Sequence, residues 1–223
     1  MKTVDDISIT ADVYLSAQGK TAPVILLFHQ AGGDARGEYA SHIPRLLHEG
    51  YNVIATDQRS GGNRFESTNR TVAALEGRQY SYCDAYQDLE AALQYTIDNG
   101  FTRKRFVWGS SYTAALVIKL GAEHPKELAG ILSFSPASGE AMDDCKPEPF
   151  VPKVRLPTLI MRPGSEMTRE SSKEQFILFQ KHGFQTYVAE NGVHGSSMLN
   201  PSRVQGDVER HWKVVLDFIR KNL

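Results

Sequence analysis

The sequence predicts an α/β fold in which a mostly parallel central sheet carries helices on both faces. Short apolar runs rich in β-branched residues alternate along the chain with longer amphipathic stretches, which is the pattern of such a layered fold. Most of these runs are apolar at every position, as expected for strands that are buried on both faces. A chain of 223 residues, 41% of them hydrophobic, suits one core, so we predict a single domain spanning residues 1–223.

Seven strands are predicted in chain order. The first, residues 7–15, alternates between polar and apolar positions, which favours a place at the outside of the sheet. The central strands are the continuously apolar runs 24–28, 53–56, 106–108, 131–134 and 158–161. Residues 184–188 form the last predicted strand.

Two predicted helices have a clear apolar face. Residues 85–99 form the first, and Gly100 marks its end. Its apolar face consists of Tyr86, Leu89, Leu93 and Ile97. The last stretch of the chain repeats this spacing with Val208, Trp212, Val215 and Ile219. The proline-containing connection 135–156 predicts a loop with short helices at most.

Composition and charge disfavour several classes of partner. The 25 Lys and Arg residues are balanced by 26 Asp and Glu residues, so the net charge of −1 provides no positive field for nucleic acid or anionic lipid. Residues 1–6 are partly acidic where a signal peptide needs an apolar stretch, and no apolar run has membrane-spanning length. Cys83 and Cys145 could form at most one bridge. We therefore expect a cytoplasmic protein without a nucleic-acid or membrane partner.

The turn between a predicted strand and a predicted helix carries the strongest chemical signal. Residues 106–115 pass from an apolar strand into a helix of small residues, with Gly109 two residues before Ser111. This turn resembles the nucleophile elbow of α/β-hydrolases. Strand and helix nearly touch in such an elbow, so the residues two before and two after the serine need to be small. Thr113 departs from the glycine usual in the family, and Ser110 is disfavoured because Trp108 would then fill the first position.

The resemblance implies a histidine that acts as general base after the last strand. His194 fits this role because it lies in the polar, glycine-flanked loop 191–197, before the last helix. His29 directly follows an early strand, where the family carries a segment that shapes the oxyanion hole, so we interpret it as structural. The remaining histidines lie in predicted helices or near their ends and form no metal-binding pair: His42, His48, His124, His182 and His211.

The acid of the triad has more than one candidate. Glu166 lies a few residues beyond the strand 158–161, where family members usually place it. The residue must accept the imidazole N–H, hold the productive tautomer and offset the imidazolium charge. Asp143 and Asp144 are the alternatives, because they lie in the loop after the preceding strand and some relatives draw the acid from there.

Two backbone N–H groups are expected to hold the developing oxyanion. By the resemblance they belong to Ala31, two residues after His29, and to Tyr112, directly after the nucleophile. Gln30 replaces the usual glycine of this segment and could contribute its own side chain.

The resemblance spans nearly the whole chain and is closest to compact members similar to dienelactone hydrolases and small esterases or peptidases. It implies the α/β-hydrolase fold and a serine hydrolase that forms an acyl-enzyme on Ser111 and cleaves a small or medium ester, lactone or thioester. It implies no metal and no cofactor. The segment in which larger relatives insert a cap domain is short here, so we expect no large cap and an open site. Two other classes remain: a catalytically weak binding protein of this fold, and a peptidase, lyase or acyltransferase on the same scaffold.

Overall fold

The computed structural model describes residues 1–102 and 104–223. In these ranges the strands are β1 (Thr10–Tyr14), β2 (Val24–Phe28), β3 (Asn52–Asp57), β4 (Arg105–Ser110), β5 (Gly130–Phe134), β6 (Thr158–Pro163) and β7 (Gln185–Ala189). They form one seven-stranded sheet in the order β1-β3-β2-β4-β5-β6-β7. Strand β1 is antiparallel to β3, and all the other pairings are parallel. The predicted fold class and the seven predicted strands are therefore confirmed.

Helices flank the sheet on both faces. They are α1 (Ala35–Tyr39), α2 (His42–His48), α3 (Arg70–Ala74), α4 (Tyr86–Asp98), α5 (Tyr112–Glu123), α6 (Glu170–Lys181) and α7 (Glu209–Lys221). Helices α4 and α7 are the two that the amphipathic spacing predicts. The connection 135–156 contains two short 3-10 turns, Glu140–Cys145 and Val151–Lys153, as predicted for a loop without a cap.

The core lies in two layers, one on each face of the sheet. Strands β2 to β6 are buried at every position, which explains why their sequences are continuously apolar. On one face, helices α4, α5 and α6 contribute Leu89, Leu116 and Phe179 to the core. On the other face, helices α2 and α7 contribute Leu46 and Trp212.

The start of the chain differs from the prediction. Strand β1 begins at Thr10 rather than at residue 7. Ile7 and Ile9 are buried in a small separate cluster with Leu75, where the segment folds back so that Ile9 N–H donates to Met1 O at 2.7 Å. Alternating apolar positions are equally suited to an outer strand and to this turned segment, so the sequence pattern extends past the end of the strand.

A disulfide joins Cys83, in the segment before α4, to Cys145, at the end of a 3-10 turn in the connection 135–156. The two Cα atoms are 5.5 Å apart. Within the described ranges, every helix is too short or too polar to cross a bilayer. Because strands β2 to β7 run in the same direction, the loops at their carboxyl ends meet at one edge of the sheet.

Candidate active site

Ser111 lies in the turn between β4 and α5 and has a strained backbone. Its φ is 62° and its ψ is −115°, a conformation that residues with a Cβ rarely adopt and that clusters at functional sites. Two hydrogen bonds hold the turn: Ser111 N–H donates to Phe134 O at 2.9 Å, and Ala137 N–H donates to Ser111 O at 3.1 Å. The side chain is therefore displayed from a backbone that the neighbouring loop after β5 keeps in place.

Close approach of strand and helix explains the small residue before the turn. A Cβ on Gly109 would lie 2.3 Å from Thr113 O, which is too close for any side chain. Thr113 is tolerated because its hydroxyl is used: Oγ1 accepts Ser110 N–H at 2.8 Å and donates to Phe28 O at 2.8 Å. The departure from the family pattern at this position thus ties the elbow to the end of β2.

Ser110 and Ser111 have different environments. Ser110 is fully buried, and its Oγ accepts Ser196 N–H at 2.9 Å and donates to the carboxylate of Glu38. Trp108, two residues earlier, is packed against Phe134 with ring centroids 4.5 Å apart. Ser111 is partly exposed. Of the two hydroxyls, only that of Ser111 is open to a substrate.

His194 lies in the loop after β7 and is bonded to Glu166. Its Nδ1 is 2.5 Å from Glu166 Oε1, while 49% of the His194 side chain and 6% of the Glu166 side chain are exposed. The loop is joined to its neighbours by Gly195 N–H, which donates to Ser135 Oγ at 3.1 Å. Gly195 has a φ of 66°, and a Cβ there would lie 2.4 Å from Ser110 Oγ. Glycine at this position therefore lets the loop lie directly against the residue before Ser111.

The imidazole and the Ser111 hydroxyl belong to adjoining loops without being hydrogen-bonded to each other. Among the described residues, the ring bonds only through Nδ1, to Glu166. Hydrogen bonds between a nucleophile and its base are often long in unliganded enzymes and tighten when substrate binds.

Glu166 is held by a buried arginine that the sequence analysis does not identify. Arg162 Nη1 donates to Glu166 Oε2 at 2.6 Å, and its Nη2 donates to Pro136 O at 2.6 Å and to Gln175 Oε1. Burial acts to raise the pKa of the Glu166 carboxyl, but the bond to His194 and the Arg162 charge outweigh it, so this pKa lies below its usual value. The sequence does contain a signal for Arg162: it is a single arginine in the otherwise apolar strand β6, and a buried charge needs a partner.

The alternative acids lie elsewhere. Asp143 forms an ion pair with Lys146 at 2.6 Å in the 3-10 turn Glu140–Cys145. Asp144 is exposed in the same turn. The structure thus brings Glu166, and neither aspartate, to His194.

The two amides of the proposed oxyanion hole come from different elements: Ala31 lies in the segment after β2, and Tyr112 is the first residue of α5. Among the described residues, neither Ala31 N–H nor Tyr112 N–H donates a hydrogen bond. Gln30 is turned away from this role, because its N–H donates to Glu38 Oε2 at 2.7 Å and its Nε2 donates to Glu38 Oε1 at 3.1 Å. The fully buried Glu38, a second residue that the sequence analysis misses, thus links the segment after β2 with Ser110.

His29 is buried and both ring nitrogens are used. Its Nδ1–H donates to Gln30 O at 2.9 Å, and its Nε2 accepts Gln58 N–H at 2.9 Å. Burial lowers the pKa of the ring below its usual value. The ring joins the loops after β2 and β3, which agrees with a structural role.

One cluster in the described chain has the composition of a metal site. Glu90, Glu123 and His124 place their possible ligand atoms within 4.8 Å of one another. They already bond within the protein, because Tyr86 Oη donates to Glu123 Oε2 at 2.5 Å and His124 Nε2 lies 3.3 Å from Glu90 Oε1. The cluster joins α4 to the end of α5 and includes no residue of the predicted site.

Solved structures share this fold at low sequence identity. The α/β hydrolase GrgF from Penicillium sp. sh18 has a TM-score of 0.73 and 12% identity over 100% of this chain and 96% of its own. Est1E from Butyrivibrio proteoclasticus has a TM-score of 0.72 and 13% identity over 100% and 98%. Dienelactone hydrolase from Anabaena variabilis has a TM-score of 0.71 and 12% identity over 99% and 95%. These likenesses establish the fold alone.

The sequence itself also matches a family of hydrolases. No curated protein sequence matches the chain significantly. Residues 19–174, more than half of the chain, match the family model described as serine aminopeptidase, S33. This range contains the elbow with Ser111 and extends through Glu166. The chain therefore belongs to the α/β-hydrolase family of the serine aminopeptidase S33 type.

Proposed function

We propose that the protein cleaves an ester-type bond, in an ester, lactone or thioester, through an acyl-enzyme on Ser111. The observation that supports this most is the partly exposed Ser111 in its strained turn, beside the loop of His194, whose ring is bonded to Glu166 in the turn after β6. A hydroxyl, an imidazole and a carboxylate in series form the arrangement that activates a serine nucleophile.

In the proposed reaction, His194 Nε2 takes the proton of Ser111 Oγ as this oxygen attacks the carbonyl carbon. The N–H groups of Ala31 and Tyr112 then bind the oxyanion of the tetrahedral intermediate, and neither donates to an acceptor among residues 1–102 and 104–223. When the intermediate collapses, His194 returns the proton to the leaving oxygen or sulfur. Water then attacks the acyl-enzyme with the same imidazole as base, and Ser111 is regenerated.

Glu166 is proposed to orient His194 and to stabilise the imidazolium that forms. Its lowered pKa keeps the carboxyl ionised at neutral pH, so it can accept the Nδ1 proton throughout the cycle. Arg162 is proposed as the positioning residue that holds the second oxygen of this carboxylate.

The size of the site supports a small or medium substrate. A cavity of about 400 Å³ lies beside His194 and Glu166, within the range of small-molecule sites. The connection 135–156, part of which lines this cavity, contains only two short 3-10 turns and forms no large cap.

The proposal is tested with a fluorophosphonate probe followed by mass spectrometry of the labelled peptide. We expect labelling at Ser111 that is lost in Ser111→Ala and strongly slowed in His194→Ala. Turnover of 4-nitrophenyl acetate should fall about 10³-fold or more in either variant and in Glu166→Gln.

Ser8→Ala is the matched control, because Ser8 is exposed and lies in the segment before β1. It should keep both labelling and turnover. If Ser111→Ala retains turnover within about tenfold of the wild type, the proposed nucleophile is wrong.

The family description favours one second candidate, an aminopeptidase. An amino-acid 4-nitroanilide and an amino-acid 4-nitrophenyl ester separate the two activities. Cleavage of the ester alone supports an esterase, whereas comparable kcat/KM on both supports a peptidase that uses the same residues.

A further inference from the structure

The proposed base His194 and its carboxylate partner Glu166 both line one cavity. Its walls come from the loop 135–139 after β5, from Glu166 and from the first turn of α6. The same loop contacts the elbow directly, because Ala137 N–H donates to Ser111 O at 3.1 Å. The cavity therefore lies next to the imidazole that the proposed reaction uses.

The charges that line this cavity are unbalanced. Two guanidinium groups, Arg162 and Arg169, face one carboxylate, Glu166. That carboxylate is already used, since it accepts hydrogen bonds from Arg162 and is bonded to His194. Arg169 forms no ion pair or side-chain hydrogen bond with any described residue. Burial lowers the pKa of Arg162, the carboxylates of Glu166 and Glu148 act to raise it, and the positive charge of Arg169 acts in the same direction as burial.

Two other carboxylates of this region, Glu170 and Glu148, have partners of their own. Glu170, the next residue, forms its ion pair with Lys173 at 3.2 Å. Glu148 Oε1 accepts Gln175 Nε2 at 2.7 Å and lines a neighbouring cavity. Among the described residues no carboxylate pairs with Arg169, so its positive charge faces the solvent and can bind an anionic group in the cavity.

Neutral donors lie beside this free cation. Ser172 lines the cavity, is only 8% exposed and has a hydroxyl without a partner among the described residues. Ser171 and Ser172 belong to the first turn of α6, where backbone N–H groups have no acceptor within the helix and favour a negative charge. A cation, a buried hydroxyl and a helix start together form a surface that suits a carboxylate.

We propose that the substrate of this site carries a carboxylate and that Arg169 binds it in the cavity beside His194. This inference rests on the proposed esterase function and narrows its substrate class to anionic esters. A carboxylate bound by a guanidinium and by a hydroxyl makes charge-assisted hydrogen bonds. A substrate with this carboxylate therefore keeps its ester carbonyl at Ser111 for a larger fraction of the time than a substrate with an apolar group in its place.

The test compares matched esters that differ in one charge. For the acyl side, 4-nitrophenyl hemiglutarate is compared with 4-nitrophenyl valerate. For the leaving group, 4-acetoxybenzoate is compared with its methyl ester. We expect the wild type to prefer the anionic member of at least one pair by about tenfold in kcat/KM, mainly through KM.

Variants at Arg169 identify the group responsible. Arg169→Gln should reduce the ratio of kcat/KM on the anionic ester to that on the neutral ester about tenfold, whereas Arg169→Lys should retain part of this preference. Arg155→Gln is the matched control, because Arg155 is an exposed arginine that lies outside the cavity and donates to Pro152 O. It should keep the wild-type preference. Added salt should weaken the preference, since Arg169 is exposed.

The outcomes separate this inference from the proposed function. If neutral and anionic esters are cleaved equally well in a Ser111-dependent reaction, the inference is wrong and the esterase proposal stands. A preference that persists in Arg169→Gln also overturns it. If none of the esters is cleaved and Ser111 is not labelled, the proposed function fails and this inference fails with it.

Discussion

His42 shows how a single buried residue fixes the loop that carries the proposed base. Its Nε2–H donates to Ser196 O at 3.0 Å, two residues after His194. The ring is enclosed by Tyr39, Trp108 and Trp212. Burial lowers its pKa from 6.5 to about 4, so the folded protein keeps this ring neutral.

This lowered pKa predicts a pH dependence of stability. In the unfolded chain His42 gains its proton near pH 6.5, whereas the folded protein resists protonation until about pH 4. The contribution to the free energy of unfolding is therefore complete above pH 6.5 and is lost as the pH falls towards 4, by about 3 kcal/mol in total. Urea unfolding at several pH values should show a shallower decline between pH 7 and pH 4 in His42→Gln than in the wild type.

An exposed histidine provides the control for this experiment. His182 follows α6 at the surface, and His182→Gln should decline with pH as the wild type does. Equal slopes for His42→Gln and the wild type would contradict the role given to His42.

At the scale of elements, the β4–α5 elbow depends on parts of the chain that are distant in sequence. Its sharp turn follows from the local order of strand, Gly109, Ser111 and small-residue helix, so it could be predicted. It could not be predicted that the elbow accepts a threonine at position 113, because the hydroxyl of Thr113 donates to Phe28 O, 85 residues away. Glu38 was missed for the same reason, since it lies in α1 and its partner Ser110 lies at the end of β4.

Gly109 is predicted to be the residue of the elbow least able to change. The added Cβ of Gly109→Ala would meet Thr113 O at 2.3 Å and Ala114 N at 2.6 Å, so strand and helix must separate. We expect the free energy of unfolding in urea to fall by about 1–3 kcal/mol or more. Gly139→Ala is the control for stability, because nothing lies within 4 Å of its added Cβ, and it should change by less than about 0.5 kcal/mol. An equal effect of the two substitutions would show that the elbow is not tightly packed.

At the scale of the whole molecule, the sheet was predictable because buried parallel strands need apolar side chains on both faces. The loop 135–156, with short turns and no large insertion, also agrees with the prediction. The bonded pair of His194 and Glu166 agrees with the predicted arrangement, while the catalytic roles of both residues and the single domain stay predictions. Arg162 and Arg169 were missed because the charge balance of a cavity depends on which loops meet there, and sequence spacing does not record this.

The disulfide was beyond the sequence analysis as well, because two cysteines 62 residues apart show no sign of meeting. Bonds of this kind persist mainly in oxidising compartments. The expectation of a cytoplasmic protein stays a prediction, and the Cys83–Cys145 bond favours an oxidising compartment instead.

The same bond makes part of the backbone a closed ring. Between Cys83 and Cys145 the chain runs through α4, β4, α5 and β5, so Ser111 lies inside the ring while Glu166 and His194 lie outside it. A protease recognition sequence inserted after the exposed Lys126, between α5 and β5, would let one cut open the ring without releasing a fragment. The cut protein should migrate as one denatured band without reductant and as two bands with it, whereas two bands in both lanes would show that the sulfurs are not joined. The peptide that carries the proposed nucleophile is thus attached to the molecule by two covalent routes, and breaking one leaves the other.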